Sequence, residues 1–136
     1  MKRIIIIVVA VLLSYPSLAQ SDIPYAPQSV SEPKDGAVYK LFPTNNMWTF
    51  LKLDTRNGRI WQVQFSVKGD DYRFESPLTL LKLADEAQEK NGRFTLYPTS
   101  NFYTFILLDQ IDGRTWQVQW ATEPKDRGIM PIQSIF

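Results

Sequence analysis

The segment PTNNMWTFLKLDTRNGRIWQVQFS, residues 43–66, returns as PTSNFYTFILLDQIDGRTWQVQWA at residues 98–121. The two align without a gap at a constant offset of 55; thirteen of 24 positions are identical, and most others exchange like for like, as Trp48 for Tyr103 and Leu51 for Ile106. The likeness continues upstream, where Tyr39 to Phe42 answers Phe94 to Tyr97. It also continues downstream, where Arg73, Pro77 and Leu78 answer Arg127, Pro131 and Ile132 after a one-residue gap. Each copy is therefore a whole structural unit, not a short motif.

Within each copy, runs rich in aromatic and β-branched residues alternate with turn residues, the pattern of strands. Strands are predicted near 37–42, 47–54, 59–67 and 72–76, then 93–97, 102–109, 114–121 and 128–135. The Pro-Thr-x-Asn segments make the first turn of each unit. Asn57-Gly58 and Asp112-Gly113 make the second, with glycine supplying the positive φ that a hairpin needs. Residues 84–91 (ADEAQEKN), ahead of Gly92, suit a short helix stopped by glycine or, almost equally, a polar loop.

Two short sheets with one apolar side each bury it by packing together or by closing. The expected fold is all-β: two tandem antiparallel β-meander repeats, residues 36–83 and 92–136, packed as a pseudo-two-fold sandwich or small barrel. The alternative is two propeller blades, which would complete a ring only by self-association because propellers take at least about four blades.

Ahead of the repeats, MKRIIIIVVAVLLSYPSLAQ has a basic start, an apolar run from Ile4 to Leu13, and small residues at Ser17 and Ala19. This is the three-part pattern of a secretory signal, read as residues 1–19, so the chain is expected to be exported to the periplasm or beyond the cell. The apolar run is half the ~20 residues that a membrane-spanning helix needs, so no integral membrane segment is expected after cleavage. No cysteine stands at the cleavage point, which excludes a lipoprotein anchor there. Residues 20–35 (QSDIPYAPQSVSEPKD), with three prolines, read as a mobile arm before a single domain at 36–136.

Without cysteine, stability in an oxidising compartment must come from a core. Removing the signal leaves 13 basic against 14 acidic side chains, a balance that gives no electrostatic reason to expect nucleic acid as a partner. With neither histidine nor cysteine, the usual general base near neutral pH, thiolate chemistry and most transition-metal ligands are missing. No cofactor and no metal are expected. Catalysis would have to rest on carboxylates, and the repeated ones, Asp54 and Asp109, sit where aspartate is a routine turn residue.

Alternation along a strand puts Trp61, Val63 and Phe65 on one face and Gln62 and Gln64 on the other, and likewise Trp116, Val118 and Trp120 against Gln117 and Gln119. The tryptophan face is expected to be core. What flanks the glutamines depends on the hairpin. A three-residue loop, Arg56-Asn57-Gly58, places Leu51 and Leu53 with the tryptophan and Trp48, Phe50 and Lys52 with the glutamines. A four-residue loop exchanges every neighbour, and then Trp48 and Phe50 join the core. The x-Asn/Asp-Gly string favours the three-residue loop. In that register the candidate ligand-binding residues are Trp48, Phe50, Gln62 and Gln64 in one copy and Tyr103, Phe105, Gln117 and Gln119 in the other. Flat rings beside amides suit sugars or an extended peptide. The competing reading is that these rings are covered and the glutamines simply face water. Arg59 and Arg114 are expected to pair with Asp54 and Asp109 across the turn.

On these strings the chain resembles small secreted bacterial proteins of unknown function that carry Trp/Tyr-Thr-Phe-x-x-Leu-Asp…Gly-Arg-x-Trp-Gln-Val-Gln units, over about residues 36–132. The resemblance implies tandem β units and export, and carries no activity, ligand or catalytic residue. A shorter likeness, Leu-Asp…Gly…Trp, is to propeller blades. The function expected is an exported, non-catalytic module that binds a glycan or a protein partner, with oligomerisation open. A part in an envelope assembly, with IMPIQSIF or the arm adding a strand to a neighbour, ranks second, and a carboxylate-based hydrolase last.

Overall fold

The eight predicted strands all form, most of them somewhat shorter than their sequence patterns. In the computed structural model, which describes residues 36–135, the first copy holds β1 (Tyr39–Pro43), β2 (Thr49–Asp54), β3 (Ile60–Gln64) and β4 (Phe74–Pro77). The second holds β5 (Phe94–Pro98), β6 (Thr104–Asp109), β7 (Thr115–Gln119) and β8 (Gly128–Pro131). Each set is an antiparallel meander in its own four-stranded sheet, ordered β1-β2-β3-β4 and β5-β6-β7-β8. The fold is an all-β sandwich of two open sheets, not a closed barrel. The expected signal and arm lie outside the described residues.

Several of the residues shared by the two copies build the turns. Thr44 Oγ1 donates to the Thr49 carbonyl and Thr99 Oγ1 to that of Thr104, both at 2.8 Å. Asn46 Oδ1 accepts the Trp48 N–H and Asn101 Oδ1 the Tyr103 N–H, both at 2.9 Å. These local bonds occupy backbone groups that the first turn leaves unpaired.

The second turn corrects the expected register. Leu51 lies opposite Gln62 and Leu53 opposite Ile60, while Ile106 lies opposite Gln117 and Leu108 opposite Thr115. Asp54 closes its hairpin against Arg59 (N···O 2.8 Å), so the loop holds four residues, Thr55 to Gly58, and the second copy does the same from Gln110 to Gly113. The turn aspartate is the cause. Its carbonyl accepts the glycine N–H, at 3.0 Å for Gly58 and 2.8 Å for Gly113. Its Oδ1 accepts an N–H two residues on, Arg56 or Ile111, both at 3.0 Å. Aspartate thus closes the loop one residue earlier than the glycine signal alone implied.

Both copies have this register, yet they bury opposite faces. In the second, the face with the tryptophans is interior: Phe94, Leu96, Phe105, Leu107, Trp116, Val118 and Trp120 are all buried. In the first, the interior face is the other one, with Thr49, Leu51, Leu53, Ile60 and Gln62 buried and Trp61 and Val63 half-buried outside. The two inner faces and Leu78 form one hydrophobic cluster. Across it, Gln62 Oε1 accepts the N–H of Ala121 at 3.4 Å. The sandwich therefore stands, but its two halves do not present equivalent faces to each other as a two-fold relation would require.

Three exchanges favour the inversion, although Lys40 against Thr95 and Ser76 against Met130 run the other way. Turning the tryptophan face of the first sheet inward would bury Lys52 and Glu75, whose desolvation costs several kcal/mol per ion. The second copy has Leu107 and Ile129 at those places. On the other face Ile60 becomes Thr115, removing apolar area from the face that the second copy leaves out. One neutral amide, Gln62, is a smaller burden to bury than two charges, roughly 1–3 kcal/mol before any partner is found.

The connection between the sheets seats them. Leu83 N donates to the Asn57 carbonyl and Phe94 N to the Thr55 carbonyl, both at 2.8 Å, along the β2–β3 turn. The expected helix at 84–91 is reduced to one 3-10 turn at Glu86–Gln88. Its one buried apolar residue, Ala84, supplies no apolar stripe to hold a longer helix against the sheets.

Candidate functional site

The inversion leaves the tryptophan side of the first sheet outside as a broad aromatic face. Trp48 and Phe50 both approach Phe65, with ring centroids 5.2 and 6.2 Å away. Tyr39 meets Trp61 edge-on at 6.4 Å. Between these groups Lys52 Nζ lies 4.7 Å from the Trp61 ring centroid and 5.7 Å from that of Tyr39, within cation–π range. Lys52 also forms an ion pair with Glu75 on the same face, so its charge is already neutralised, while the guanidinium groups of Arg56 and Arg59 lie 5.9 and 5.1 Å from the Tyr39 and Trp61 ring centroids at the edge of the face. Leu41 and Phe65 are 52% and 42% exposed, which makes this an apolar surface with solvent access and not a covered core.

The eight residues singled out from the sequence do not converge. Trp48 and Phe50 stay together on this face, but the glutamines of their copy are on the opposite one. Gln62 is 1% exposed in the interior. Gln64 donates through Nε2 to the Tyr72 carbonyl at 3.4 Å. In the second copy Phe105 is core, whereas Gln117 and Gln119 are half-buried on the outer side. Tyr103 is exposed at the turn, its ring tilted against Trp120 at 5.0 Å and edge-on to Phe102 at 4.9 Å. Phe65, Trp61 and Tyr39, the rest of the exposed aromatic face, were assigned to the core or not singled out. The exchange of Lys52 for Leu107 was the signal that could have found them.

The repeated aspartates are structural in their surroundings. Asp109 is fully buried and accepts from Arg93 Nε (3.1 Å), Arg93 NH2 (2.9 Å) and Arg114 NH2 (3.0 Å), besides the backbone N–H groups of Ile111 and Asp112. Burial alone would raise its pKa, but these donors outweigh it and hold the carboxyl at about 2. Asp54 is also lowered: burial again opposes, and hydrogen bonds from Arg56 prevail. The expected turn pair forms between Arg114 and Asp109. In the first copy Arg56 takes that place at 2.8 Å, and Arg59 instead lies 5.1 Å from the Trp61 ring centroid.

Open clefts among the described residues flank the sheets. One of about 540 Å³ is lined by Arg114, Trp116, Ile132 and their neighbours. Another, about 500 Å³, lies where Gln64 and Phe74 meet Thr122, Pro124 and Arg127. Neither is lined by a pair of carboxylates. Among the described residues no group of histidine, cysteine, aspartate or glutamate could hold a metal ion, and no helix is long and apolar enough to cross a membrane.

Compared with protein-family models, with curated proteins and with solved structures, the chain has no match.

Proposed function

We propose that this chain is an exported, non-catalytic interaction module whose contact surface is the aromatic face of the first sheet. The observation that carries the reading is that Trp48, Phe50, Trp61 and Phe65 share a solvent-accessible face. Rings held by a sheet offer large contact area with little side-chain entropy to lose, which favours a glycan or a protein as ligand. The saturated hydrogen bonding of Asp54 and Asp109 supports a non-catalytic role, and the secretory pattern at residues 1–19 supports export.

Binding is the test. The exported protein, screened on an oligosaccharide array and by crosslinking to neighbouring proteins in intact cells, is expected to capture a ligand. Trp48→Ala with Phe65→Ser should abolish that capture and leave the melting temperature within a few degrees. A protein that captures nothing, or captures equally well without these rings, contradicts the reading.

A further inference from the structure

Because the two copies bury opposite faces, each leaves bare the face that its twin buries. On the first sheet Leu41, Phe50, Trp61, Val63 and Phe65 stand outside at the places taken in the interior by Leu96, Phe105, Trp116, Val118 and Trp120. On the second, Tyr97, Ile106, Leu108, Gln117 and Ile132 stand outside at the places of Phe42, Leu51, Leu53, Gln62 and Leu78. Among the described residues there is thus one finished contact of this kind, and its two complementary halves stand unpaired on the outer surfaces.

We infer that copies of this chain associate head to tail, the bare face of the second sheet of one copy packing on the bare aromatic face of the first sheet of the next. The inference rests on the interaction-module reading and names the partner. The internal contact sets the geometry. Gln62 accepts the Ala121 N–H in the interior, and the corresponding groups between copies are Gln117 and the Ser66 N–H. An interface of two unlike faces does not close on itself in a dimer of equivalent patches. It grows until a ring closes or a filament forms. With two sheets per copy and about four to eight blades in a propeller-like ring, a closed assembly holds roughly two to four copies.

The intermolecular contact differs from the internal one at the Lys52–Glu75 ion pair, which replaces Leu107 and Ile129. Burying that pair between copies makes association weaker than the internal packing, and therefore reversible. Restoring the interior pattern with Lys52→Leu and Glu75→Ile is expected to tighten it by about tenfold or more.

Sedimentation of the purified exported protein over a range of concentrations tests the inference. The expected result is a concentration-dependent rise from monomer to one larger species or a ladder of them. Leu41→Glu with Phe65→Glu blocks one face, and Tyr97→Lys with Met130→Lys blocks the other; these positions are 42–52% exposed, and melting curves verify that each variant folds. Each variant alone should be monomeric, and an equimolar mixture should form a 1:1 dimer and nothing larger. The inference is overturned if the unaltered chain stays monomeric throughout. It is also overturned if either blocked variant still self-associates. A monomer that nevertheless binds a glycan or another protein through Trp48 and Phe65 overturns self-association while leaving the interaction-module reading intact.

Discussion

The strings Trp61-Gln62-Val63-Gln64 and Trp116-Gln117-Val118-Gln119 are identical and pair in the same register, but Val118 and Gln62 are interior while Val63 and Gln117 are not. A strand with one apolar face and one mixed face can bury either, and the choice belongs to its neighbours. Lys52 and Glu75 against Leu107 and Ile129, and Ile60 against Thr115, tip two nearly identical units in opposite directions. The duplication preserved the turns and the pairing, and a few exchanges decided which side faces solvent.

The largest test of that difference is to move the charge. Leu107→Lys puts an unpaired ammonium into the core and is expected to destabilise by about 3–5 kcal/mol, enough to unfold much of a marginally stable domain. Lys52→Leu at the equivalent place should change the stability of the isolated chain little. Chemical denaturation of both variants checks the pair, and equal losses would break the comparison.

The turn glycines form a second pair. Gly58 and Gly113 both have positive φ, 78° and 73°, so an alanine at either is strained by about 1–2 kcal/mol. A Cβ on Gly58 would also lie 3.0 Å from Leu83 and 3.1 Å from Phe94, whereas one on Gly113 would meet nothing within 4 Å. Gly58→Ala should therefore cost a further ~1–3 kcal/mol of overpacking, visible as a larger drop in melting temperature than Gly113→Ala gives.

Gln62→Ala removes a buried amide and its contact with Ala121, an expected loss of about 1–3 kcal/mol. Gln117→Ala, on the outer side, should stay within about 0.5 kcal/mol in the monomer. Equal effects in denaturant titrations would contradict the inversion.

The smallest effect expected is in acid. The Asp109 carboxyl is held at about 2, below its unfolded value of about 3.9. A depressed carboxylate contributes stability that is complete above the unfolded value and lost as pH falls through the folded one. Melting temperature should therefore decline between about pH 4 and pH 2. Asp109→Asn should flatten that decline more than Asp54→Asn, because Asp109 alone is clasped by a buried arginine, Arg93.

All eight strands were legible because two independent copies of the same alternating pattern marked them. Register was not, since Asn-Gly and Asp-Gly suit loops of either length, and the hydrogen bonds of Asp54 and Asp109 decided the matter. The aromatic face was missed for a related reason. Alternation divides a strand into two faces without saying which is buried, and Trp-Val-Phe looks like a core whether or not Lys52 prevents it from becoming one. The eight candidate residues scattered because they were grouped by the rejected register.

Because the chain contains no cysteine, the inversion of the two copies can be read by thiol labelling. Four single-cysteine variants, at Gln62, Val63, Gln117 and Val118, are reacted with a water-soluble thiol reagent at a concentration where the chain is monomeric. A crossed pattern is expected: rapid labelling at 63 and 117, and protection on the order of 100-fold or more at 62 and 118, where reaction must await opening of the core. Matching rates at 63 and 118, with 62 and 117 matching each other, would mean that both copies bury the same face and would contradict the inversion.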